Sequence, residues 1–427
     1  MARARTVNVR DLRTSNRSRA LIEMYLNGPM TRQDIGLAVG VSPATVSNLV
    51  GELLEQGVLI EVGAEDSDGG RPRAVLQVNP GYGYVVGVDV GETAVLAELF
   101  DLTMRVLASH TATPTSAGLE PEAVAALVLE GLDRVIAESG VAADAILGVG
   151  VGVPGLVEHG ADAVVHAQTV GWEAVPFGRM LRRGTALPLL VDNGAKALGQ
   201  AETWFGAART SANAVIVLLG TGVGTSIITD GELYRGPSSS AGEWGHTTVI
   251  LNGRTCRCGA SGCLEAYVGA RAVATRYEQL RGRRLDNGEL ERQIARLAAA
   301  GPQDRAATQV IEETATYLGA GIADLINLFN PERIVVGGWL GRVLGDRLLP
   351  GIRAVAAQHA LRLPFSQVAI VAAELGTDAV ALGAATLPIS QFLASGAARR
   401  PGPADRLGRA GTSVTDRQRS LAEVRRR

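Results

Sequence analysis

Residues 243–265 read EWGHTTVILNGRTCRCGASGCLE, and this stretch holds all three cysteines of the 427-residue chain. The candidate ligands in it are His246, Cys256, Cys258 and Cys263. Three thiols cannot all pair as disulfides, whereas one imidazole and three thiolates form a closed tetrahedral set for structural zinc, with no open position for a catalytic water. The spacing therefore predicts a zinc site that orders a glycine-rich loop. The alternative is a group of free thiols near a surface loop.

The composition is that of a globular chain with ample core: 46% of residues are hydrophobic, 20% are charged and the net charge is -2. At this length we expect two or three domains. The sequence has no apolar run of about 18 residues, and its first residues lack the apolar stretch of a secretory signal. We therefore expect a cytoplasmic protein without a membrane segment, whose thiols stay reduced. Only Lys196 of the 41 basic residues is lysine, which we attribute to coding bias.

Both ends of the chain are rich in arginine. Residues 1–20 carry six arginines and one acidic residue, and residues 399–427 carry nine arginines against three acidic residues. We interpret residues 1–16 as a basic arm and residues 396–427 as a disordered tail, because the tail lacks apolar periodicity. The alternative is that either end contacts nucleic-acid phosphates.

Residues 17–80 have the pattern of three helices followed by a β-ribbon. A short apolar-periodic helix is predicted over residues 18–26. Thr31 is then a candidate N-cap of a second helix, and Ser42 caps a third helix with Pro43 at its first position. The third helix has apolar residues at i, i+3, i+4 and i+7, which predicts a buried stripe. The stripe consists of Val46, Leu49, Val50 and Leu53.

This order of elements is typical of a winged helix-turn-helix, a DNA-binding module. The stripe leaves small polar side chains on the outward face of the third helix, where they can reach base edges and phosphates. Two arginines beside the polar turn of the ribbon suit contact with the DNA backbone or minor groove. The predicted DNA-binding residues are Thr31, Arg32, Ser42, Pro43, Ala44, Thr45, Ser47, Asn48, Arg71 and Arg73. The alternative is a small three-helix packing module.

From Tyr84 onward, apolar runs that end in glycine alternate with helical patterns, which is typical of buried strands in an α/β protein. One β-rich half opens at GVDVGET and the other at VLLGTGVGT. These two halves indicate an internal duplication with a ligand-binding cleft between two lobes. Helical periodicity is present over residues 121–139, 195–206, 264–281, 305–328 and 378–387.

The chain resembles the ROK family, which is named for repressors, open reading frames and sugar kinases. The family signature is E-x-G-H followed by C-x-C-G-x-x-G-C-x-E, and the matching residues are Glu243, Gly245, His246, Cys256, Cys258, Gly259, Gly262, Cys263 and Glu265. The resemblance covers residues 84–390, and residues 17–80 match its repressor branch. It implies an α/β fold: a winged helix-turn-helix domain, then a two-lobed actin-like and hexokinase-like (ribonuclease H-like) domain that binds sugar and carries the zinc loop.

The resemblance also implies that a sugar lies between the lobes. Carboxylates and imidazoles suit this role because they accept hydroxyl protons in fixed directions. The implied sugar-binding residues are Gly155, Gln168, Asn193, Glu243, His246 and Glu265, with His246 using one ring nitrogen for zinc and the other for sugar. Gln168 stands near a position where the family often has asparagine, a difference that bears on which sugar fits.

Two departures from the kinase members of the family bear on catalysis. Those kinases read D-N-D-A-N, and the second aspartate is the general base; this chain has Gly194 there, which cannot accept a proton. The kinases also open with D-x-G-G-T, whose amides face ATP phosphates, whereas Glu92 here sets a negative charge beside that site. We therefore expect no catalytic residue and no sugar phosphorylation. The remaining glycine loops are explained by tight turns.

The leading hypothesis is a sugar-responsive transcriptional regulator, a repressor of carbohydrate-utilisation genes. Its expected partners are a double-stranded DNA operator with an inverted repeat and a sugar or sugar-derivative effector, and its expected state is a homodimer or tetramer. The alternative is an ATP-dependent kinase of hexoses or amino sugars that also binds DNA. A third hypothesis is control by a protein partner, such as a transporter subunit.

Overall fold

The structure of the chain, a computed structural model, describes residues 9–66, 72–114, 119–160, 162–282 and 290–397. The helices are α1 (Val9–Asn27), α2 (Arg32–Val39), α3 (Pro43–Glu55), α4 (Pro121–Ser139), α5 (Phe177–Leu181), α6 (Gly194–Phe205), α7 (Glu265–Val268), α8 (Ala270–Arg281), α9 (Leu290–Ala299), α10 (Arg305–Phe329), α11 (Gly338–His359), α12 (Arg362–Gln367) and α13 (Ala379–Ala394). The strands are β1 (Met30–Thr31), β2 (Leu59–Glu65), β3 (Arg73–Val78), β4 (Tyr84–Val90), β5 (Val95–Asp101), β6 (Val106–Ala112), β7 (Ile146–Val153), β8 (Leu156–Glu158), β9 (Val164–Ala167), β10 (Trp172–Val175), β11 (Leu189–Asn193), β12 (Ala214–Leu219), β13 (Val223–Thr229), β14 (Glu232–Leu233), β15 (Arg333–Gly337) and β16 (Ala369–Ala372).

The N-terminal unit packs α1, α2 and α3 against a small sheet of strand order β1-β3-β2. The predicted caps are confirmed: Thr31 and Asp34 form a capping box on α2, and the Ser42 hydroxyl accepts the amide of Thr45 on α3. The predicted stripe of α3 is buried. The ribbon is formed by β2 and β3, which pair antiparallel.

Helix α1 begins at Val9, well before the predicted start at residue 18. Two arginines in its first half, Arg13 and Arg17, form ion pairs with Glu52 of α3. This segment of α1 is polar, so apolar periodicity gives no signal for it. Its ion pairs with α3 stabilise it as a helix. Part of the stretch interpreted as a basic arm is therefore helical and packs on α3.

The two lobes contain sheets of the same topology. The first sheet has the order β6-β5-β4-β7-β11 and the second has the order β14-β13-β12-β15-β16. In each sheet the first three strands form an antiparallel meander, and the next two strands add in parallel. This repeated order confirms the internal duplication predicted from the two glycine-containing openings.

Helix α13 packs directly on the backbone of the first sheet. A Cβ at Gly87 of β4 would lie 1.9 Å from the carbonyl oxygen of Ala381, and one at Gly150 of β7 would lie 1.8 Å from that of Ala384. Only glycine allows so close an approach of helix and sheet. The helix also contacts α6 and α1, so it joins the first lobe to the N-terminal unit.

One hydrophobic core runs through the N-terminal unit and into the first lobe. It extends from Leu21 of α1 and Val50 of α3 to Phe100 of β5, Trp204 of α6 and Ile389 of α13, all of them buried. Because these residues exclude water together, the N-terminal unit is held on the lobe by apolar burial as well as by its linker.

Helix α11 is not predicted by the sequence patterns. Gly341, Gly345 and Pro350 interrupt its periodicity, and each of these residue types disfavours a helix interior. The helix forms because Leu340 and Leu348 are buried against the core of the second lobe, where tertiary packing outweighs the local preference.

None of the described helices is by itself long and apolar enough to cross a membrane. Helices α2 and α3 reach the required length and composition only as a pair, and they meet at a bend of 115°. Their apolar residues, including Ile35 and Leu49, are buried in the N-terminal core.

Candidate metal centre and sugar-binding cleft

The four predicted metal ligands converge in the loop between β14 and α7. Their ligand atoms, from His246, Cys256, Cys258 and Cys263, all lie within 4.8 Å of one another. Cys256 Sγ is 3.8 Å from His246 Nδ1, and Cys258 Sγ is 3.8 Å from Cys263 Sγ. Tetrahedral zinc ligands with bonds of about 2.0 to 2.3 Å are about 3.5 to 3.8 Å apart. The set therefore fits a tetrahedral ion such as zinc.

Backbone turns bring these ligands together. His246 ends a 3₁₀ turn over Trp244–His246, and Cys263 lies opposite Thr248 in an isolated antiparallel bridge. Between the cysteines, Gly262 has a φ of +81°, and a Cβ there would lie 1.8 Å from the carbonyl oxygen of Ile250. Glycine is required at this crossing, which folds the cysteine segment back towards His246.

Cys256 and Cys263 are buried, and Cys258 is half-buried. Burial raises the pKa of the Cys263 thiol to about 12, and hydrogen bonding to Cys258 adds to this rise. Burial also raises the pKa of the Cys256 thiol. Metal ligation needs thiolates, so binding of a cation at this site would release protons.

Asn193 and Gly155 lie together at the carboxyl ends of β11 and β7. Asn193 Nδ2 donates to the Gly155 carbonyl oxygen at 2.6 Å, and its Oδ1 accepts the amide of Lys196, which caps α6. A Cβ at Gly155 would lie 2.2 Å from the carbonyl oxygen of His166, so this turn needs glycine. Gln168 is exposed in a 3₁₀ turn after β9.

The two glutamates of the signature have different surroundings. Glu265 is 6% exposed, and its Oε2 accepts the amide of Val223 at 2.9 Å. Its Oε1 lies 3.5 Å from Arg257. Glu243 is half-buried, and burial raises its pKa while Lys196 acts in the opposite direction. Glu265 is thus held by the glycine loop and an arginine, whereas Glu243 is partly exposed.

A buried charge cluster adjoins Asn193. Asp192 accepts two hydrogen bonds from Arg235, at 2.5 and 3.0 Å, and both side chains are almost fully buried. His159 Nε2 lies 3.7 Å from Asp192 Oδ1. Lys196, the single lysine of the chain, is 2% exposed beside them. The sequence analysis did not predict that Arg235 and Lys196 belong to this cluster. The one signal was that Lys196 is a lysine in a chain that otherwise uses arginine. Coding bias does not explain why Lys196 is buried.

The negative charge of Glu92 is compensated by arginines, contrary to the expectation from the sequence. Its carboxylate accepts from Arg257 Nη1 at 2.8 and 3.0 Å, and Arg271 lies 3.5 Å away. Arg257 stands between two of the cysteine ligands, so this ion pair joins the turn after β4 to the metal loop across the two lobes. Because the charge is compensated, repulsion by Glu92 no longer argues against a bound polyanion.

The predicted DNA-binding residues are unequally placed. Ser42, Pro43, Ala44, Ser47, Asn48 and Arg73 are exposed, and Thr45 is half-buried. Thr31 is 2% exposed and its hydroxyl bonds to Asp34, so the prediction that it faces DNA is corrected to a capping role. Arg32 is half-buried, 3.9 Å from Glu61. Arg71 lies outside the described residues.

A cavity is present behind β11, separate from the predicted sugar residues. It is lined by apolar residues such as Leu189 and Leu387 and by polar ones such as Arg182 and Gln391, with His159 and Asp192 at one side. None of the six predicted sugar-binding residues lines it.

The duplicated sheets, the cleft at their strand ends and the His/Cys loop define a two-lobed, actin-like class of protein with an added N-terminal helical unit. The model of the ROK family matches residues 85–391, and the chain belongs to this family.

Relatives include both regulators and kinases. The xylose repressor of Caldicellulosiruptor bescii is 30% identical over 393 residues, which is 90% of this chain and 97% of that protein. The crystal structure of a ROK family transcriptional regulator, a homologue of the E. coli MLC protein, matches with a TM-score of 0.74 at 24% identity, covering 96% of this chain and 99% of that chain. A ROK glucokinase from Streptomyces griseus, in complex with glucose and AMPPNP, matches with a TM-score of 0.60 at 30% identity over 71% of this chain and 99% of that chain.

Proposed function

We propose that this protein is a sugar-responsive transcriptional repressor whose N-terminal unit binds operator DNA and whose cleft binds a sugar without phosphorylating it. The observation that carries the proposal is helix α6. It begins beside Asn193 in the cleft, and Trp204 and Phe205 at its other end pack on Tyr25 of α1. Similarity to a xylose repressor and to a regulator structure along almost the entire chain supports the same function.

The outward face of α3 supports DNA binding by a winged helix-turn-helix. Ala44, Ser47 and Asn48 are exposed on this helix, and small or polar side chains there can approach base edges. Asparagine can form two hydrogen bonds with adenine in the major groove. Arg73 is exposed at the start of β3, at the turn end of the ribbon, where it suits contact with the DNA backbone or minor groove.

The cleft supports sugar binding by Asn193, Glu243 and His246, which supply an amide, a carboxylate and an imidazole for hydroxyl groups. His246 turns Nδ1 towards Cys256, so Nδ1 would hold zinc and Nε2 would remain for the sugar. A structural zinc ion would fix the orientation of this ring, as second-sphere contacts do at other metal sites. The role of the metal in this proposal is to order the binding loop.

Gly194 supports a cleft without catalysis. It is the first residue of α6, next to Asn193, and it has no side chain to accept a proton from a sugar hydroxyl. A Cβ at this position would lie 3.6 Å from Val380 Cγ1 and 3.7 Å from the carbonyl oxygen of Val153, which are ordinary contact distances. Packing therefore does not require glycine at position 194. Steric crowding does not explain why this position lacks a side chain that could accept a proton.

Helix α6 supplies a route from the sugar to the DNA. A helix rises about 1.5 Å per residue and moves as a rigid rod, so a shift at its cleft end reaches α1. The aromatic contact is reinforced by Arg209 just after α6, whose Nη2 donates to the carbonyl oxygen of Leu26 at 2.8 Å. In a homodimer or tetramer bound to an inverted repeat, the two α3 helices must lie about 34 Å apart to enter successive major grooves. A shift in their separation would change operator affinity by the coupling free energy between the sugar and DNA sites.

Binding to DNA from the protein's own promoter region, measured by fluorescence anisotropy with and without D-xylose, D-glucose and N-acetylglucosamine, tests this function. We expect binding that at least one sugar weakens about tenfold, a coupling typical of allosteric proteins. The Ser47→Ala/Asn48→Ala variant should bind at least about tenfold more weakly, because each base contact contributes about 1–3 kcal/mol. Glu122→Ala, exposed on α4, is the control and should bind as the wild type does. Absence of an operator together with absence of any sugar effect would contradict the proposal.

The second candidate function is a sugar kinase, favoured by the match to a glucokinase with bound glucose and AMPPNP and by the compensated charge of Glu92. A coupled assay of ADP release with hexoses and amino sugars distinguishes the two functions. We expect no sugar-dependent turnover by the wild type. The Gly194→Asp variant restores an acceptor where space allows it, and its turnover would indicate that only the base is missing.

A further inference from the structure

Lys196 is a buried cation that the proposed function does not use. It occupies the first turn of α6, three residues after the capping Asn193, and it is 2% exposed. Its backbone amide is bonded to Asn193, but its ammonium forms no hydrogen bond within the described part of the chain. Burial lowers the pKa of this ammonium, and the negative charges of Asp192 and Glu243 raise it. Lys196 Nζ is not among the fully enclosed polar atoms that lack a partner in the described residues. Its donor positions are therefore open to water or to an acceptor supplied from outside the chain.

Strand β13 places Lys196 and Glu243 on the same part of the cleft. The Ser226 hydroxyl donates to the carbonyl oxygen of Ala195 at 2.6 Å, which holds the first turn of α6. The neighbouring amide of Thr225 donates to the carbonyl oxygen of Gly242 at 2.9 Å, which holds the segment that leads into Glu243. Both side chains therefore extend from backbone that is fixed to adjacent residues of one strand.

The other cations of the cleft already have carboxylate partners. Arg235 is bonded to Asp192, and Arg257 to Glu92, with Glu265 3.5 Å from it. A phosphate or carboxylate on the effector would therefore have to compete with existing carboxylates for every one of these cations. A hydroxyl group adds no charge, and it can both accept from an ammonium and donate to a carboxylate.

We propose that Lys196 and Glu243 are a specificity pair that recognises hydroxyl groups of a neutral, unphosphorylated sugar. Lys196 Nζ donates to a sugar oxygen, and the Glu243 carboxylate accepts a hydroxyl proton beside it. The inference rests on the proposed sugar-binding function and narrows it to one class of effector. Because the donor and acceptor act on the same edge of the sugar, loss of either partner leaves the other unpaired in a buried setting.

Calorimetric titration and thermal shift with D-xylose, D-glucose, glucose 6-phosphate and glucuronate test the pair. We expect the wild type to bind a neutral sugar and to bind the two anions at least tenfold more weakly. Lys196→Met keeps the aliphatic stem and removes the charge, and its melting temperature without ligand checks that the variant is folded. Its affinity for the neutral sugar should fall at least tenfold, whereas its zinc content and its DNA binding without sugar should be unchanged.

Lys196→Arg and the double variant Lys196→Met/Glu243→Gln complete the design. The longer, forked guanidinium of Lys196→Arg should also weaken binding of the neutral sugar. The double variant should lose less binding free energy than the sum of the losses in Lys196→Met and Glu243→Gln. A sugar response in the wild type that Lys196→Met retains at equal affinity, or a wild-type preference for glucose 6-phosphate, overturns the specificity pair and leaves the sugar-responsive function standing. If neither these four compounds nor N-acetylglucosamine changes the wild type's melting temperature or its DNA binding, both the pair and the proposed function fail.

Discussion

The ring of Tyr25 in α1 lies 5.8 Å from the ring of Trp204 in α6, centroid to centroid, with the planes at 64°. This edge-to-face contact joins the N-terminal unit to the helix that begins in the cleft. The Tyr25 hydroxyl is buried and has no hydrogen-bond partner among the described residues. The contact therefore depends on the ring and gains nothing from the hydroxyl.

Tyr25→Phe should keep the contact and change the free energy of unfolding by about 1 kcal/mol or less, in the stabilising direction, because an unsatisfied buried hydroxyl is removed. Tyr25→Ala should destabilise by about 2 to 4 kcal/mol, as large-to-small changes of buried aromatic residues do. Tyr25→Ala should also reduce the effect of sugar on DNA binding. Urea unfolding and anisotropy measure these two effects; an undiminished sugar response in Tyr25→Ala would rule out this route.

Cys258→Ser should lose the bound metal and, with it, sugar binding, because the loop has few apolar contacts of its own to order it. The core that the N-terminal unit shares with the first lobe contains no residue of the metal loop, so DNA binding without sugar should persist. Metal content by mass spectrometry and thermal shift with sugar check this. Arg257→Ala, one residue away and outside the ligand set, is the control and should keep its metal. Full metal occupancy in Cys258→Ser would show that the ligand assignment is wrong.

The pair of Glu92 and Arg257 should be measurable as a coupling between the lobes. The Arg257 side chain is 30% exposed and that of Glu92 is 9% exposed, so solvent screens the interaction in part. A double-mutant cycle of Glu92→Gln and Arg257→Ala should give about 0.5 to 1 kcal/mol in thermal unfolding, and less in high salt. A coupling of zero at low salt would mean that the ion pair does not hold the lobes together in solution.

Gly150→Ala should be strongly destabilising, by about 3 kcal/mol or more, because its Cβ would lie 1.8 Å from the carbonyl oxygen of Ala384 in α13. Gly345→Ala is the matched control: this helical glycine of α11 has nothing within 4 Å of its Cβ position. That substitution should stabilise by about 0.5 to 1 kcal/mol through helix propensity. Chemical denaturation of both variants checks the contrast, and equal effects would contradict the close packing of α13 on the sheet.

Local patterns of the sequence predicted much of this molecule. The caps at Thr31 and Ser42, the buried stripe of α3 and the two glycine-containing openings each depend on residues a few positions apart, so their consequences can be read along the chain. The same holds for the metal ligands, which lie within one loop. Helix α11 and the first half of α1 were missed because distant packing and ion pairs, rather than local periodicity, stabilise them.

The sequence by itself thus predicted many of the helices and strands, and it predicted the four His and Cys side chains whose ligand atoms lie within 4.8 Å of one another. It also has glycine at position 194, which has no side chain to accept a proton. The tertiary structure alone decided which charges meet: Glu92 lies 165 positions from Arg257, and Asp192 lies 43 positions from Arg235. It also decided that Lys196 is buried beside Glu243 and that one core joins α1 to α13. The physical reason is that Coulomb energies and apolar burial depend on distance in space, which only the folded chain fixes.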